Sequence, residues 1–217
     1  MQQLLIKYCG NQSKEDIEIV TDSNASYIGF IFANSKRFVN PLLVKEWLKK
    51  VSFENKKLVG VFVNADISYI DSVLSQVPLS VIQCHGTETP QYVIQLKKTT
   101  KIQVWKVIHH EEGSLENMKG FQGIADGYVI DTKVKNLWGG SGTSFDWKYI
   151  PHYIEEAKRQ GVPCLIAGGI HVGNIEQLLK YEIDGIDISS GIERNGKKDK
   201  QVIETIEKWV NKNVERT

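Results

Sequence analysis

LLIKYCGNQSKEDIEIV, residues 4–20, runs as a short apolar stretch that stops at Cys9 and Gly10, crosses a polar turn and enters a segment of helical period. Its first part, LLIKYC (4–9), suits a pleated strand, and Ser13-x-x-Asp16 has the spacing of a capping box that starts a helix. The same unit then recurs along the chain. YIGFIFA (27–33), KLVGVFV (57–63), LSVIQCH (79–85), KIQVWKVI (101–108), DGYVID (126–131), PCLIAG (163–168) and GIDISS (185–190) read as further strands. Between them lie helical stretches such as PLLVKEWLKKV (41–51), TPQYVIQLKK (89–98), WKYIPHYIEEAKRQ (147–160) and GNIEQLLKYE (173–182). A second capping-box pattern, Asn174-x-x-Gln177, opens the last of these.

Strands this apolar on both faces suit a parallel sheet covered by helices, because a sheet with one wet face shows polar alternation. That selects the α/β class. Eight repeats of roughly 27 residues in a chain of 217 predict a (β/α)₈ TIM barrel occupying residues 1–217 as a single domain. A doubly wound open sheet has fewer strands and a Gly-rich first turn, and no G-x-G-x-x-G follows the first strand here.

Composition narrows the partners. With 27 basic and 26 acidic side chains, the chain lacks the basic footprint of a general nucleic-acid binder, so an anionic ligand must be met by local groups. The expected partner is a phosphorylated small molecule, with neither nucleic acid nor membrane. No stretch approaches the roughly 20 apolar residues that span a bilayer, and no basic, apolar leader opens the chain, which predicts a cytoplasmic protein, a monomer or weak homodimer. The three cysteines, Cys9, Cys84 and Cys164, have no metal-type spacing and no C-x-x-C pair. Each lies in or at the end of an apolar run, where a free cysteine ordinarily packs as a small hydrophobe.

Active sites of (β/α)₈ barrels form at the carboxyl ends of the strands. Those ends read Cys9-Gly10, Ala33 with Arg37 just beyond, Val63-Asn64, Gln83 with His85, Ile108-His109, Asp131-Thr132, Gly168-Gly169 and Ser189-Ser190-Gly191. Gly168, Gly169, Ser190 and Gly191 follow strands seven and eight, a frequent phosphate site in barrels, where clustered backbone N–H groups bind the anion; the alternative is that they only make tight turns. A phosphate held there is flanked by Asp131 and Cys9, with Arg37, Gln83 and His85 facing the far end of the ligand. This arrangement suits an anchored sugar phosphate with an acid and a base on either side of its ring and a guanidinium for a second anionic group. Plain alternatives are a solvated Arg37, an Asp131 that caps a turn and a His85 that bonds locally. Lys106, His109 and His110 receive no chemical role. KVKNLWGGSGTSFDW (133–147) is too long for a plain connection and reads as a closing lid or as a surface loop.

The strings IKYCG, GFIFANSKR, VGVFVN, VIQCHG, VIDT, GGSGTSFDW, AGGI and DISSGIERNGKKD resemble, in order and spacing and over essentially the whole chain, the motif set of the phosphoribosylanthranilate isomerase family of tryptophan biosynthesis. The resemblance implies an Amadori rearrangement of N-(5-phosphoribosyl)anthranilate on a (β/α)₈ barrel, without metal or other cofactor. It makes Cys9 the general base at the sugar C2′, Asp131 the general acid at the ring oxygen, and Arg37 the holder of the anthranilate carboxylate. It also brings Gln83, His85, Gly140, Gly142, Gly168, Gly169, Ser190 and Gly191 to the ligand. Tyr8 and Cys84 depart from the family's usual residues, an aliphatic side chain and leucine; strand alternation turns Cys84 away from the pocket.

The chemistry makes a demand of its own. With ordinary values near 8.5 for Cys and 3.9 for Asp, about 3% of thiols are ionised and about 0.1% of carboxyls protonated at pH 7. Helix N-termini are expected to favour the thiolate, and the apolar run Tyr128-Val129-Ile130 to keep Asp131 neutral. Two competitors stand beside this reading: the histidine-pathway aminoaldose isomerase, which the cysteine argues against, and a phosphate-binding barrel without turnover.

Overall fold

In a computed structural model of the chain, residues 4–53, 55–132 and 144–214 are described. Eight strands alternate with eight helices: β1 (Leu5–Tyr8), α1 (Lys14–Thr21), β2 (Tyr27–Ile31), α2 (Pro41–Leu48), β3 (Lys57–Phe62), α3 (Ile67–Leu74), β4 (Val81–Cys84) and α4 (Pro90–Thr100) form the first half. The second comprises β5 (Gln103–His110), α5 (Ser114–Lys119), β6 (Gly127–Thr132), α6 (Ile150–Gln160), β7 (Cys164–Ile166), α7 (Ile175–Leu178), β8 (Gly185–Ile188) and α8 (Lys200–Val214). The strands pair in parallel, in chain order, and β8 closes onto β1 with Lys7 opposite Asp187. This is the (β/α)₈ barrel that the repeat predicts.

Period-two alternation sorts every strand into two faces. Outward residues such as Ile6, Tyr8, Ile28, Phe30, Cys84, Tyr128, Ile130, Cys164 and Ile186 join the helices in one large apolar layer. Inward residues Tyr27, Val59, Val81, Trp105, Val107, Val129, Leu165 and Ala167 fill the lumen, with Trp105 edge-on to Tyr27 at 4.8 Å. The lumen is therefore a packed plug, and only the last inward residue of each strand reaches the mouth.

The strands stop one or two residues earlier than their apolar runs. Gly168 and Gly169 have φ of +80° and +64°, so β7 ends at Ile166 and the chain turns over the mouth. β5 and β6 are the exceptions and continue to His110 and Thr132. At α1 the Ser13 side chain accepts from the Asp16 N–H as the capping pattern predicts, while Asp16 accepts from the Gln12 N–H, one residue before the cap. At α7 the pattern fails: Asn174 Oδ1 accepts from His171 N–H and its amide donates to Gly169 O, so it latches the loop after β7 instead of capping a helix. The segment 147–160 begins as a 3₁₀ turn, Trp147–Tyr149, before α6. A short hairpin, β9 (Glu193–Arg194) and β10 (Lys197–Lys198), turns through Asn195 and Gly196, both at positive φ, and carries Lys198 under the mouth.

Candidate active site

Cys9 follows β1 directly, its N–H donating to Ile188 O of β8 at 2.9 Å. Its thiol fits against β2 only because residue 29 is glycine, where a Cβ would stand 2.7 Å from Sγ. Two residues earlier on the same inward face, Lys7 is fully buried and its ammonium lies 2.7 Å from Asp187 Oδ2. Burial pushes the Cys9 thiol above its ordinary value; the Lys7 ammonium draws it down and Asp187 raises it again, so burial wins. The charges that favour the thiolate are the Lys7 and Lys198 ammoniums, and they offset burial only in part.

Asp131 stands on β6, also buried. Its Oδ1 accepts from Thr132 N–H at 2.7 Å, and its Oδ2 lies 3.3 Å from His85 Nε2, outside hydrogen-bond geometry. Gln83 Nε2 meets His85 Nδ1 at 3.2 Å. Since the amide nitrogen can only donate, Nδ1 accepts and the His85 proton sits on Nε2, toward Asp131. His109, behind it on β5, approaches His85 O at 3.0 Å through Nε2. Burial raises Asp131, but His85, His109 and the Thr132 amide more than cancel that, and the carboxyl is held below its ordinary range. Burial acts in the expected direction, although of Tyr128, Val129 and Ile130 only Val129 shares the inward face of Asp131, and the imidazoles and the Thr132 amide reverse the outcome. His85, His109 and Asp131 offer donor atoms within 4.8 Å of one another, the spacing of a loose metal-ligand set, but His85 Nδ1 and His109 Nε2 already face protein groups.

Between the thiol and the carboxylate lie the loops after β7 and β8. Gly191 presses on Ile170 O where any Cβ would collide, and at Gly168 a Cβ would strike Thr132 Oγ1 and Asp131 Oδ1. Among the described hydrogen bonds, none is donated by the backbone N–H groups of Gly168, Gly169, Ser190 or Gly191. Four uncommitted donors at the lip of one pocket make a cradle for an oxyanion.

Cys9, Arg37, Gln83, His85, Asp131, Gly168, Gly169, Ser190 and Gly191 all line this single pocket, while Cys84 and Cys164 face the outer apolar layer. Gly140 and Gly142 lie outside the described residues, as does most of the 133–147 loop. Arg37 is more tightly engaged than its loop position suggests: Nε and Nη2 grip Glu193 at 2.9 and 2.8 Å. Lys198, also on Glu193, donates to Cys9 O at 2.7 Å and Ser189 O at 3.1 Å. On the other side Lys106, to which the sequence assigned nothing, donates to Gly86 O at 2.7 Å and Glu88 at 2.8 Å, and Glu88 takes the Gly86 and Asn64 amides. That cluster fixes the turn carrying His85. The signal for it was present in the sequence as a lysine inside an apolar strand, which must find a carboxylate once buried. Tyr8 points outward, its hydroxyl donating to Glu207 on α8 at 3.3 Å.

Residues 6–209 match the family model described as N-(5'phosphoribosyl)anthranilate (PRA) isomerase. The N-(5'-phosphoribosyl)anthranilate isomerase of Geobacillus thermodenitrificans (strain NG80-2) is 55% identical over 207 residues, which cover 95% of this chain and 94% of that one. The crystal structure of phosphoribosyl anthranilate isomerase from Thermotoga maritima superposes with a TM-score of 0.83 at 27% identity, over 97% of this chain and all of that one. A structure of the isomerase in complex with reduced 1-(o-carboxyphenylamino)-1-deoxyribulose 5-phosphate superposes at 0.81, with 26% identity and the same coverage. A match from β1 into α8 at this identity, on this barrel, makes the chain a member of the N-(5'-phosphoribosyl)anthranilate isomerase family.

Proposed function

We propose that the protein converts N-(5-phosphoribosyl)anthranilate to 1-(2-carboxyphenylamino)-1-deoxy-D-ribulose 5-phosphate, the Amadori step of tryptophan biosynthesis, by general acid and base catalysis. The single observation that carries this reading is the placement of a buried thiol and a buried carboxylate around one pocket, with four uncommitted backbone N–H groups between them. The phosphate sits in that cradle. Asp131 gives its proton to the furanose oxygen, the C1′–O4′ bond opens to the iminium, and the Cys9 thiolate removes the C2′ proton to leave an enolamine that tautomerises to the ketone. Arg37, oriented by Glu193, turns its remaining N–H edge to the anthranilate carboxylate, and Gln83 and His85 border the ring.

The protonation states need bookkeeping. The step starts from thiolate and carboxylic acid and ends as thiol and carboxylate, and the directions above favour the end state in the free protein. One proton must therefore move from the thiol to the carboxyl between turnovers. The whole chain, 1–217, acts in this reading as one barrel domain on a phosphorylated small molecule, in the cytoplasm, as a monomer or weak homodimer. No helix among the described residues is long and apolar enough to cross a membrane. The test is the fluorescence of the anthranilate-linked substrate: purified protein is expected to abolish it and Cys9→Ala protein to leave it. No loss with the parent protein, or equal loss with both, overturns the reading, and the histidine-pathway aminoaldose run in parallel tests specificity.

A further inference from the structure

Lys7 and Asp187 sit in a lumen otherwise filled by apolar and aromatic side chains such as Val59, Val129, Leu165 and Trp105. They are register partners on β1 and β8, joined at 2.7 Å, with 0% and 8% of their side chains exposed. Such a pair is an expensive way to fill a barrel, because desolvating two charges costs as much as their attraction returns, and apolar replacements often stabilise. The geometry is also asymmetric. Asp187 gives Oδ2 to Lys7, while Oδ1 is buried with no hydrogen-bond partner among the described residues, and Asp187 lines the pocket beside Cys9. A pair made only to join two strands would satisfy both oxygens.

Alternation puts Lys7 and Cys9 on the same inward face of β1, one above the other, with outward Tyr8 between them. We infer that Lys7, anchored by Asp187 under the floor of the pocket, is the positioning residue that supplies the countercharge for the Cys9 thiolate. The other charged groups facing Cys9 are already committed. Lys198 binds Glu193 and the Cys9 carbonyl, and Arg37 is held by Glu193. On β2 the residue against the sulfur is Gly29, which brings no charge. Burial by itself acts against the charge on Lys7, and Asp187, joined by Cys9 once its thiolate forms, keeps it protonated, so the ammonium persists where the thiolate needs it.

This inference rests on Cys9 being the base, so its test reads the thiol and not only turnover. Cys9 ionisation is followed by the pH dependence of iodoacetamide alkylation, with Cys9→Ser protein subtracted, and each variant is checked for fold by circular dichroism. Lys7→Met is expected to raise the apparent thiol pKa by at least one unit, slowing alkylation near neutrality by about tenfold or more. Asp187→Asn removes the opposing charge and moves the thiol the other way. The charge-neutral pair Lys7→Met/Asp187→Asn leaves no unpaired charge to unfold the barrel, and its thiol falls between the parent and Lys7→Met. That ordering supports the inference, and Lys7→Arg partly restores the parent profile. An unchanged thiol in the double variant, shifts of the same sign in both single variants, or unfolding of all of them assigns the pair to strand packing and overturns it. A correct thiol ordering in protein that never turns over substrate would sink the proposed function and spare the electrostatic inference.

Discussion

Two buried acids stand at the mouth of this barrel, Cys9 after β1 and Asp131 on β6, and burial raises both of them. Their surroundings then part ways. The charge beside Cys9 belongs to Lys7, whose attraction is shared with Asp187, so the thiol stays protonated. Asp131 meets His85, whose proton Gln83 directs toward it, with His109 behind and the Thr132 amide on its other oxygen, and it stays ionised. The same desolvation thus ends in opposite charge states, because the Lys7 ammonium is shared with Asp187, whereas the imidazoles and the Thr132 amide all turn toward Asp131. The free site rests in the protonation state that the reaction leaves behind, and each turnover begins from the minor form.

The largest expected effect comes from deleting either group. Cys9→Ser and Asp131→Asn should each lower kcat by about 10²- to 10⁴-fold with little change in KM, as befits groups that move protons in the transition state. Small, equal losses from these two and Arg37→Ala would reduce them to a binding rim. Arg37→Ala should instead raise KM by roughly 10- to 100-fold, the worth of a charge-assisted hydrogen bond to a carboxylate. A fixed KM would show that Glu193 has no free edge of the guanidinium to orient.

The pH profile sharpens the comparison. With the acid's value depressed and the base's raised, the fraction holding thiolate and carboxylic acid together is constant between the two values. The free-enzyme kcat/KM should therefore be flat across that span, from below the ordinary Asp range to above the ordinary Cys range, and fall on either side. In Asp131→Asn protein the residual kcat/KM should climb with pH up to the Cys9 value and then level off. A narrow bell centred near neutrality would mean that the two groups are tuned toward each other.

Smaller effects follow from the walls. Gly168→Ala forces a Cβ onto Thr132 and Asp131 at a φ of +80°, and thermal or urea unfolding should register a loss of about 1–3 kcal/mol. Cys84→Ala should leave kcat and KM alone and cost stability only, since its thiol faces the outer layer. An altered pH profile in that variant would break the division between the two faces of β4.

How far the sequence could be read depends on the kind of interaction. Periodicity carried the barrel and placed Cys9, Asp131, Gln83 and His85 at strand ends, because the alternation of a strand is a local property. Asn174 shows the limit: its spacing to Gln177 reads as a cap, while the fold uses it to tie Gly169. Lys7 and Asp187 show it more fully. Each looks like one polar residue in an apolar string, and the partners are 180 residues apart.

By itself, the amino-acid sequence determined the eightfold strand–helix repeat, the inward and outward faces, and which residue types stand at the mouth. Those follow from local propensity and hydrophobic period. Only the tertiary structure decided which groups meet: that β8 closes on β1 and seats an ammonium under the thiol, and that His85, His109 and the Thr132 amide together outweigh burial at Asp131. Coulomb attraction and desolvation depend on distance and on the surrounding atoms, and neither quantity exists until the barrel has closed.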